Sequence, residues 1–525
     1  MLGGSFPELN GVGPMPQTKA LMAATGSTSS HFHIHTPICN PSRSSLLSGK
    51  YFHNIKTTGG SNKWLMHVDE DKVNAATFAK SLKEDAGYTV GMFGKYMNVM
   101  PKTVPAGFDA WMGNGGGNYI APSFQTSGLE GFTGIKDGMW HGTSKNYTTA
   151  SVGNVSIAWI ESVVKKDPTQ PFFAYIAPKA AHEPFNPAPW YVDHWDAAWP
   201  THEPRPAAWN SSSAARANHN GVVATMPMLS DDIAEVITDV FKNRWRTLMS
   251  VDDVIASVIA TCKTLGVHEQ TYYFYSSDHG FQLGEFNIPM DKRHVYDWDT
   301  KIHLLATGPG IKANSILVNP ATQVDLAPTF LGLAGVTKPA DYDGKSLVPL
   351  LVDGASEAVL DSTRRHLAEM GSATSYAAAW RTSIFFEYYF VNDNAKCVEG
   401  VTPGHYPTQD SNCGILSTTP NSQCWGSGPD GPHAATARPA PTAWEQRLAA
   451  AGLSGCYATE SWANNFIALR SMEGSAFGNT LYAEYQVNML YCSIQPPPSH
   501  SPLHFLSFIH LHSISTVRRA NEGEY

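Results

Sequence analysis

The run Cys39-Asn40-Pro41-Ser42-Arg43, closing at Gly49-Lys50, combines a potential nucleophile with a fixed positive charge four residues on. Proline suits the first turn of a helix and the amides there favour anions, so the spacing predicts Cys39 at a helix entrance beside an oxyanion pocket. Arg43, one turn further, offers a planar fork of donors matching the tetrahedral oxygens of sulfate or phosphate. The chemistry this pair points to is that of an oxyanion ester. The plain alternative for Cys39 is a small buried hydrophobe, and the ordered five-residue pattern weighs against it.

A second constellation is Ser276-Ser277-Asp278-His279-Gly280, which follows the apolar stretch Tyr272 to Tyr275 and reads as a strand running into a loop. Ligands gather at strand ends in open α/β sheets, so a carboxylate there is a candidate metal ligand or catalytic group. Hard divalent ions prefer oxygen, which makes Asp278 the surer ligand of the pair. Lys95 ends the strand-like Tyr88 to Phe93. The buried-strand candidate Pro171 to Pro178 delivers Lys179 and then His182-Glu183-Pro184 to a loop, and Lys292 follows Pro289-Met290-Asp291. Taken singly, such lysines are solvated charges and such a histidine is structural.

Their joint order resembles type I sulfatases, whose signature cysteine, with proline two and arginine four positions on, is oxidised to formylglycine. The resemblance covers residues 10 to 486 and is strongest at Cys39 to Asn54 and Ser276 to Lys292. Gly94-Lys95-Tyr96-Met97-Asn98, Ala177 to Pro184 and Asn464 to Tyr485 lean toward N-acetylglucosamine-6-sulfatases and algal arylsulfatases. It implies an alkaline-phosphatase-like α/β sandwich, a large mixed sheet between helices, with a smaller C-terminal α+β domain. It also implies catalytic roles for Cys39, Arg43, Lys95, His182 and Lys292, and a Ca2+ or Mg2+ ion held by Asp278, His279 and the modified Cys39. Lys95 matches the lysine that contacts the formylglycine hydrate and the sulfate, His182 a histidine near the leaving oxygen, and Lys292 a lysine that grips a sulfate oxygen. Many relatives carry histidine two residues after the first lysine; here it is Met97. One hydroxyl of the hydrate attacks sulfur and the other collapses to the aldehyde, ejecting sulfate, so that nucleophilic catalysis is split into two easier steps.

The expected substrate is a sulfated carbohydrate or aryl sulfate, and the expected maturation partner is the formylglycine-generating enzyme. A secreted, cell-wall or lysosome-like location follows from the family. Relatives begin with a secretion signal and a strand ending in paired aspartates. Neither is read from Met1-Leu2-Gly3-Gly4-Ser5 onward, and an incomplete gene model is the expectation. A phosphate or phosphonate ester hydrolase of the same superfamily and a catalytically impaired sulfated-glycan binder are the alternatives.

The elements that must position these residues are legible in outline. Met15 to Thr25, Asn74 to Ala86, Ala150 to Val164, Asp231 to Leu265 and Val324 to Ala334 read as helices, and Ser29 to Thr36 as a strand feeding the Cys39 loop. His31, His33 and His35 share a strand face, which alternation produces without any ligand requirement. Arg364 to Tyr389 alternates like strands. The expected domains are a catalytic domain over 1–360, a smaller domain over 361–487 and an atypical tail over 488–525, expected to be disordered. Ala188 to Met228 reads as a surface excursion whose tryptophans pack among themselves or stack on sugar rings. Asn146-Tyr147-Thr148, Asn154-Val155-Ser156 and Asn210-Ser211-Ser212 match glycosylation acceptors.

With 525 residues the chain can bury a sizeable core. Its net charge of −9 gives no basic field for nucleic acid, and no apolar run reaches the length of a spanning helix. Cys397, Cys413, Cys424 and Cys456 suggest disulfides.

Overall fold

The computed structural model describes residues 13–57, 68–220, 223, 228–290, 292–388, 464–472, 475, 477–485 and 516–518. The chain divides into two compact units. The first comprises Met1–Pro204, Thr238–Gly280 and Thr300–Ile384; the second comprises Arg205–Ile237, Phe281–Asp299 and Phe385–Tyr525.

The first unit holds strands β1 (Ser27–Ser29), β2 (Phe32–His33), β3 (Thr89–Lys95), β4 (Ala110–Asn114), β5 (Ser123–Ser127), β6 (Gly138–His141) and β7 (Phe172–Ala177). It continues with β8 (Tyr273–Ser276), β9 (Lys301–Ile302), β10 (Leu304–Thr307), β11 (Ser315–Leu317) and β12 (Ala321–Thr322). A mixed five-stranded sheet has the order β6-β5-β4-β3-β7, a four-stranded sheet the order β11-β1-β10-β8, and a three-stranded sheet the order β12-β2-β9. In the five-stranded sheet β4, β3 and β7 run parallel while β5 and β6 run antiparallel.

The helix Thr148–Lys166 shows why β3 is fixed in place. Val152, Val155, Trp159, Ile160 and Val163 recur at the helical period and meet Phe93, Met112 and Phe124 from the sheet in one buried cluster. Phe93 and Trp159 lie 5.5 Å apart between ring centroids. Truncating Trp159 to alanine would cost about 3–5 kcal/mol. At the end of β3, Gly94 adopts φ +114°, and a Cβ there would lie 2.0 Å from the Ala177 carbonyl oxygen. Only glycine permits this approach, and it turns the chain at Lys95.

Strands β13 (Ser383–Tyr388), β14 (Phe466–Ser471), β15 (Thr480–Tyr485) and β16 (Thr516–Arg518) form a small sheet in that order. β15 pairs antiparallel with both neighbours, β14 and β16. The expected mixed sheet among helices and small C-terminal sheet are both present.

Three local expectations are corrected. Ser29 to Thr36 is not one strand but the end of β1 and then β2, in different sheets. The Ser29 hydroxyl accepts from His31 N–H and the Ser30 hydroxyl donates to the Leu317 carbonyl, local bonds that compete with a continuous ladder. Arg364 to Tyr389 is helical over Asp361–Met370 and Ala373–Ala378 before β13 begins. In the helix Asp361–Met370 the buried Thr363 and His366 are three residues apart on one face, a spacing closer to 3.6 than to 2. The helix expected over Asn74 to Ala86 is two, Glu70–Ala75 and Phe78–Ala86, because Thr77 caps the second by accepting from Lys80 N–H.

In the first unit, Trp195 and Trp199 pack on Trp245 at 5.7 and 5.3 Å, so these aromatics of the excursion serve its own packing. In the second unit the Trp209 indole donates to the Leu283 carbonyl and lies under the Arg205 guanidinium. Among the described residues no helix is long and apolar enough to cross a membrane. Cys397, Cys413, Cys424 and Cys456 lie outside the described residues, as does the tail apart from β16.

Candidate functional site

Cys39 is the first residue of the helix Cys39–Ser48, preceded by extended Ile38, with Pro41 in the first turn. Proline tolerates that turn because its missing N–H has no intrahelical partner to serve. The whole helix is buried, and it ends at Gly49, whose φ of +65° closes it against the Tyr342 ring.

The thiol faces the residues that follow β8. Cys39 Sγ is 3.2 Å from His279 Nε2, and His279 Nδ1 lies 2.7 Å from the Gly280 carbonyl. Since that carbonyl only accepts, Nδ1 carries a hydrogen and Nε2 is the ring nitrogen that faces the thiol. Asp278 Oδ1 is 3.6 Å from the same Nε2. Cys39, Asp278 and His279 offer ligand atoms that all lie within 4.8 Å of one another. This donor set suits a divalent cation in kind, since a carboxylate and an imidazole oriented through its other nitrogen are common ligands. A hard ion such as Ca2+ takes six to eight oxygens, so these residues alone would form only one wall of its shell.

Arg43 is placed one helical turn from Cys39, as its spacing predicts, and its fork engages protein acceptors. Nε and Nη2 both reach Asp278 Oδ2 at 2.9 Å, and Nη1 donates to the Lys95 carbonyl at 2.6 Å. The guanidinium thus ties together the ends of β8 and β3. Burial works to raise the Asp278 pKa, and His279, Arg43 and Lys95 overcome it to hold the carboxyl far below the usual carboxylate range. Ser42, between Cys39 and Arg43, has its hydroxyl within hydrogen-bond reach of the Asp278 carbonyl and of the Gln323 side chain.

Lys95 and His182 approach the thiol from β3 and from the loop after β7. Burial raises the Cys39 pKa, yet Lys95, His279 and a hydrogen bond to His182 outweigh it and the opposing Asp278, leaving the thiol well below its ordinary value. His182 Nδ1 lies 3.0 Å from the Glu183 carbonyl, which leaves Nε2 for the thiol. Met97 is fully buried, with Ser44 Oγ 3.9 Å from its sulfur. Lys292 belongs to the second unit, where it is buried with its ammonium 5.9 Å from the Phe281 ring centroid. His33 and His35 are buried, and His35 Nε2 accepts from Phe52 N–H, a structural use of the histidine row.

Three residues at the site escaped the sequence reading. The Tyr175 hydroxyl lies against Arg43. Arg244 donates to the Ala181 carbonyl at 2.6 Å, and burial pushes its pKa down to about 10. Lys179, to which the resemblance gives no role, is held beside Lys95. No local signal marked Lys179, because the pairing of β3 with β7 that sets it beside Lys95 is made by the fold.

The sulfatase family matches residues 6–336. The chain belongs to the sulfatase family. Bovine N-acetylglucosamine-6-sulfatase is 31% identical over 365 residues, spanning 66% of this chain and 61% of that protein. The arylsulfatase of Volvox carteri is 28% identical over 338 residues, 58% of this chain and 50% of that one. The chain thus spans about three-fifths of the length of the N-acetylglucosamine-6-sulfatases it matches. Among solved structures, BT4656 in complex with its substrate D-glucosamine-2-N,6-O-disulfate superposes with a TM-score of 0.53 at 23% identity, covering 71% of this chain and 78% of that one. That likeness is one of fold, and it makes the sheets and helices described above an alkaline-phosphatase-like sandwich.

Proposed function

We propose that this protein hydrolyses sulfate esters of carbohydrate or aryl alcohols and releases inorganic sulfate, with formylglycine made from Cys39 as its nucleophile. One observation carries the reading: the Cys39 side chain, at the start of a buried helix, is met together by His279, Lys95 and His182. In the structure Sγ marks the position from which the oxygens of a formylglycine hydrate would project. The hydrate supplies an attacking hydroxyl and a second hydroxyl whose collapse frees the bound sulfate.

The protein's own residues set up that chemistry. Lys95 places a buried ammonium beside the nucleophile, where it holds an ester oxygen and the charge that grows on it. His182 keeps its Nδ1–H on Glu183 and offers Nε2 for proton transfer near the leaving oxygen. Arg43 acts as a positioning residue, fixing Asp278 and the Lys95 backbone. Asp278 and His279 are the proposed ligands of a divalent ion, Ca2+ by preference and Mg2+ as the alternative, which when bound neutralises anionic oxygens. Lys292 is assigned by family resemblance to a sulfate oxygen and the departing alkoxide. A secreted or lysosome-like location, maturation by the formylglycine-generating enzyme and a separate domain over 361–487 belong to the same reading.

The test is sulfate release by the full chain coexpressed with the formylglycine-generating enzyme, on N-acetylglucosamine 6-sulfate and an aryl sulfate. Matched phosphate and phosphonate esters are assayed in parallel, because a cluster of cations accepts either tetrahedral oxyanion. Turnover of the sulfate esters that Cys39→Ala abolishes supports the proposal. Preferred turnover of the phosphorus esters would reassign the reaction, and binding of sulfated sugar without any turnover would favour the glycan binder.

A further inference from the structure

The carboxyl ends of two adjacent parallel strands deliver two lysines to one place. β3 and β7 pair with Gly94 opposite Ala177, so Lys95 ends one strand and Lys179 lies two residues past the end of the other. Both side chains then run to consecutive residues of the loop after β4. A Cβ built on Gly116 would lie 3.7 Å from Lys95 Cδ and 3.9 Å from its Cε, and the Lys179 ammonium donates to the Gly117 carbonyl. Gly116 and Gly117 have φ values of +117° and +54° and carry no side chain, so the loop leaves room beside the Lys95 alkyl chain and exposes a carbonyl to the Lys179 ammonium.

Tyr119 joins this arrangement to the rest of the site. Its ring lies 5.1 Å below the Lys179 ammonium, and its hydroxyl donates to the His182 carbonyl at 2.7 Å. Lys179 and His182 also share one turn, His182 N–H donating to the Lys179 carbonyl at 3.0 Å. Lys179 is therefore held by the segment that carries His182 and by the loop that borders Lys95. Burial, and then the neighbouring Lys95, push its pKa down to about 7 against the weaker pull of Glu183. Like charges gathered this way are relieved by an anion between them.

We propose that Lys179 is a further oxyanion-binding residue of this site, forming with Lys95 a cationic cradle for the sulfate group of the substrate and for the sulfate released. The inference deepens the proposed sulfatase function and rests on it for the identity of the ester, while binding of the free anion can be measured without turnover.

The experiment titrates inorganic sulfate into the full chain at pH 6 by calorimetry, with chloride at equal ionic strength as the control. Wild type is compared with Lys179→Arg, Lys179→Gln and Lys179→Met. The proposal expects Arg to keep sulfate affinity within about 3-fold, whereas Gln and Met lose about 10-fold or more, as removal of one charge-assisted contact would. On the matured enzyme the same two variants should raise KM more than they lower kcat. Gln retains an amide donor for Gly117 and so separates charge from loop tethering. Wild-type affinity in Gln, even with weakened Met, would reduce Lys179 to a tether and overturn the proposal, as would equal affinity in all four proteins. If the matured enzyme releases no sulfate but the titrations behave as expected, the function fails and the cradle stands.

Discussion

The two flanks of Cys39 are built on opposite electrostatics. On one side, Arg43, Asp278 and His279 form a chain of complementary charge, in which the guanidinium grips the carboxylate and a ring nitrogen meets the thiol. On the other, Lys95 and Lys179 set ammonium beside ammonium, with Glu183 as the acidic neighbour that offsets Lys179. The first flank pairs its guanidinium with a carboxylate and lends stability to the fold. The second is strained by its own charge and gains when an anion arrives. A site for oxyanion esters needs both: a rigid seat for the nucleophile, and a positive surface whose charge the protein has not already neutralised.

The largest effect expected is at the boundary between the flanks. Cys39→Ala should lower sulfate release by about 10⁴-fold or more while leaving the thermal midpoint within a few degrees, because nucleophile removal abolishes the covalent route. Residual turnover at even a few per cent of wild type would remove Cys39 from the centre of the comparison. Next comes Lys95→Met, expected to lower kcat by about 10²–10³-fold, the loss that follows deletion of one group stabilising transition-state charge. Unfolding measured alongside should show little destabilisation. A large drop in stability would place Lys95 with the structural flank.

The complementary flank should respond in the reverse sense. Arg43→Met leaves Asp278 buried without its cation and should cost about 3–5 kcal/mol in denaturant unfolding, with Arg43→Met/Asp278→Asn recovering part of it. The pH dependence has a definite sign. The Asp278 pKa in the folded protein lies far below that of an unfolded aspartate, about 3.9, so its stabilisation is whole above that value and drains as the pH falls further. Asp278→Asn should therefore flatten the acid limb of stability below about pH 4. An unchanged limb would mean that the pair contributes nothing to the seat.

The same division decides what could be read from the sequence. The nucleophile's setting was legible because Pro41 and Arg43 fix the helix start by local rules, and Asp278-His279 follows directly from a recognisable strand. The partner of Arg43 was not legible, since a fork of donors fits sulfate and carboxylate alike and only the fold brings β8 to it. Lys179 was passed over for a related reason: a lysine after a strand looks solvated until the register of β3 with β7 sets it beside Lys95. Helix Asp361–Met370 was mistaken for strand where short alternating runs mask the longer period. Local chemistry was open to inspection; long-range pairing of charges was not.

The smallest effect is also the sharpest probe of the strained flank. Lys179 holds its proton only up to about pH 7 in the folded protein, whereas an unfolded lysine keeps it to about 10.4. Between these values the unfolded chain binds more protons, so stability from this group is greatest above the upper value and falls as the pH drops toward 7. Lys179→Met has no such term. Relative to wild type, its thermal midpoint should rise as the pH is lowered from 10 to 7 and then level off, by roughly 1–2 °C for a chain of this size. Added sulfate at pH 7 should raise the wild-type midpoint and leave the variant's nearly fixed, closing the gap. A difference between the two proteins that stays constant from pH 7 to 10 would show that Lys179 keeps its proton as an ordinary surface lysine does, and the second flank would then carry no crowding of charge for an anion to relieve.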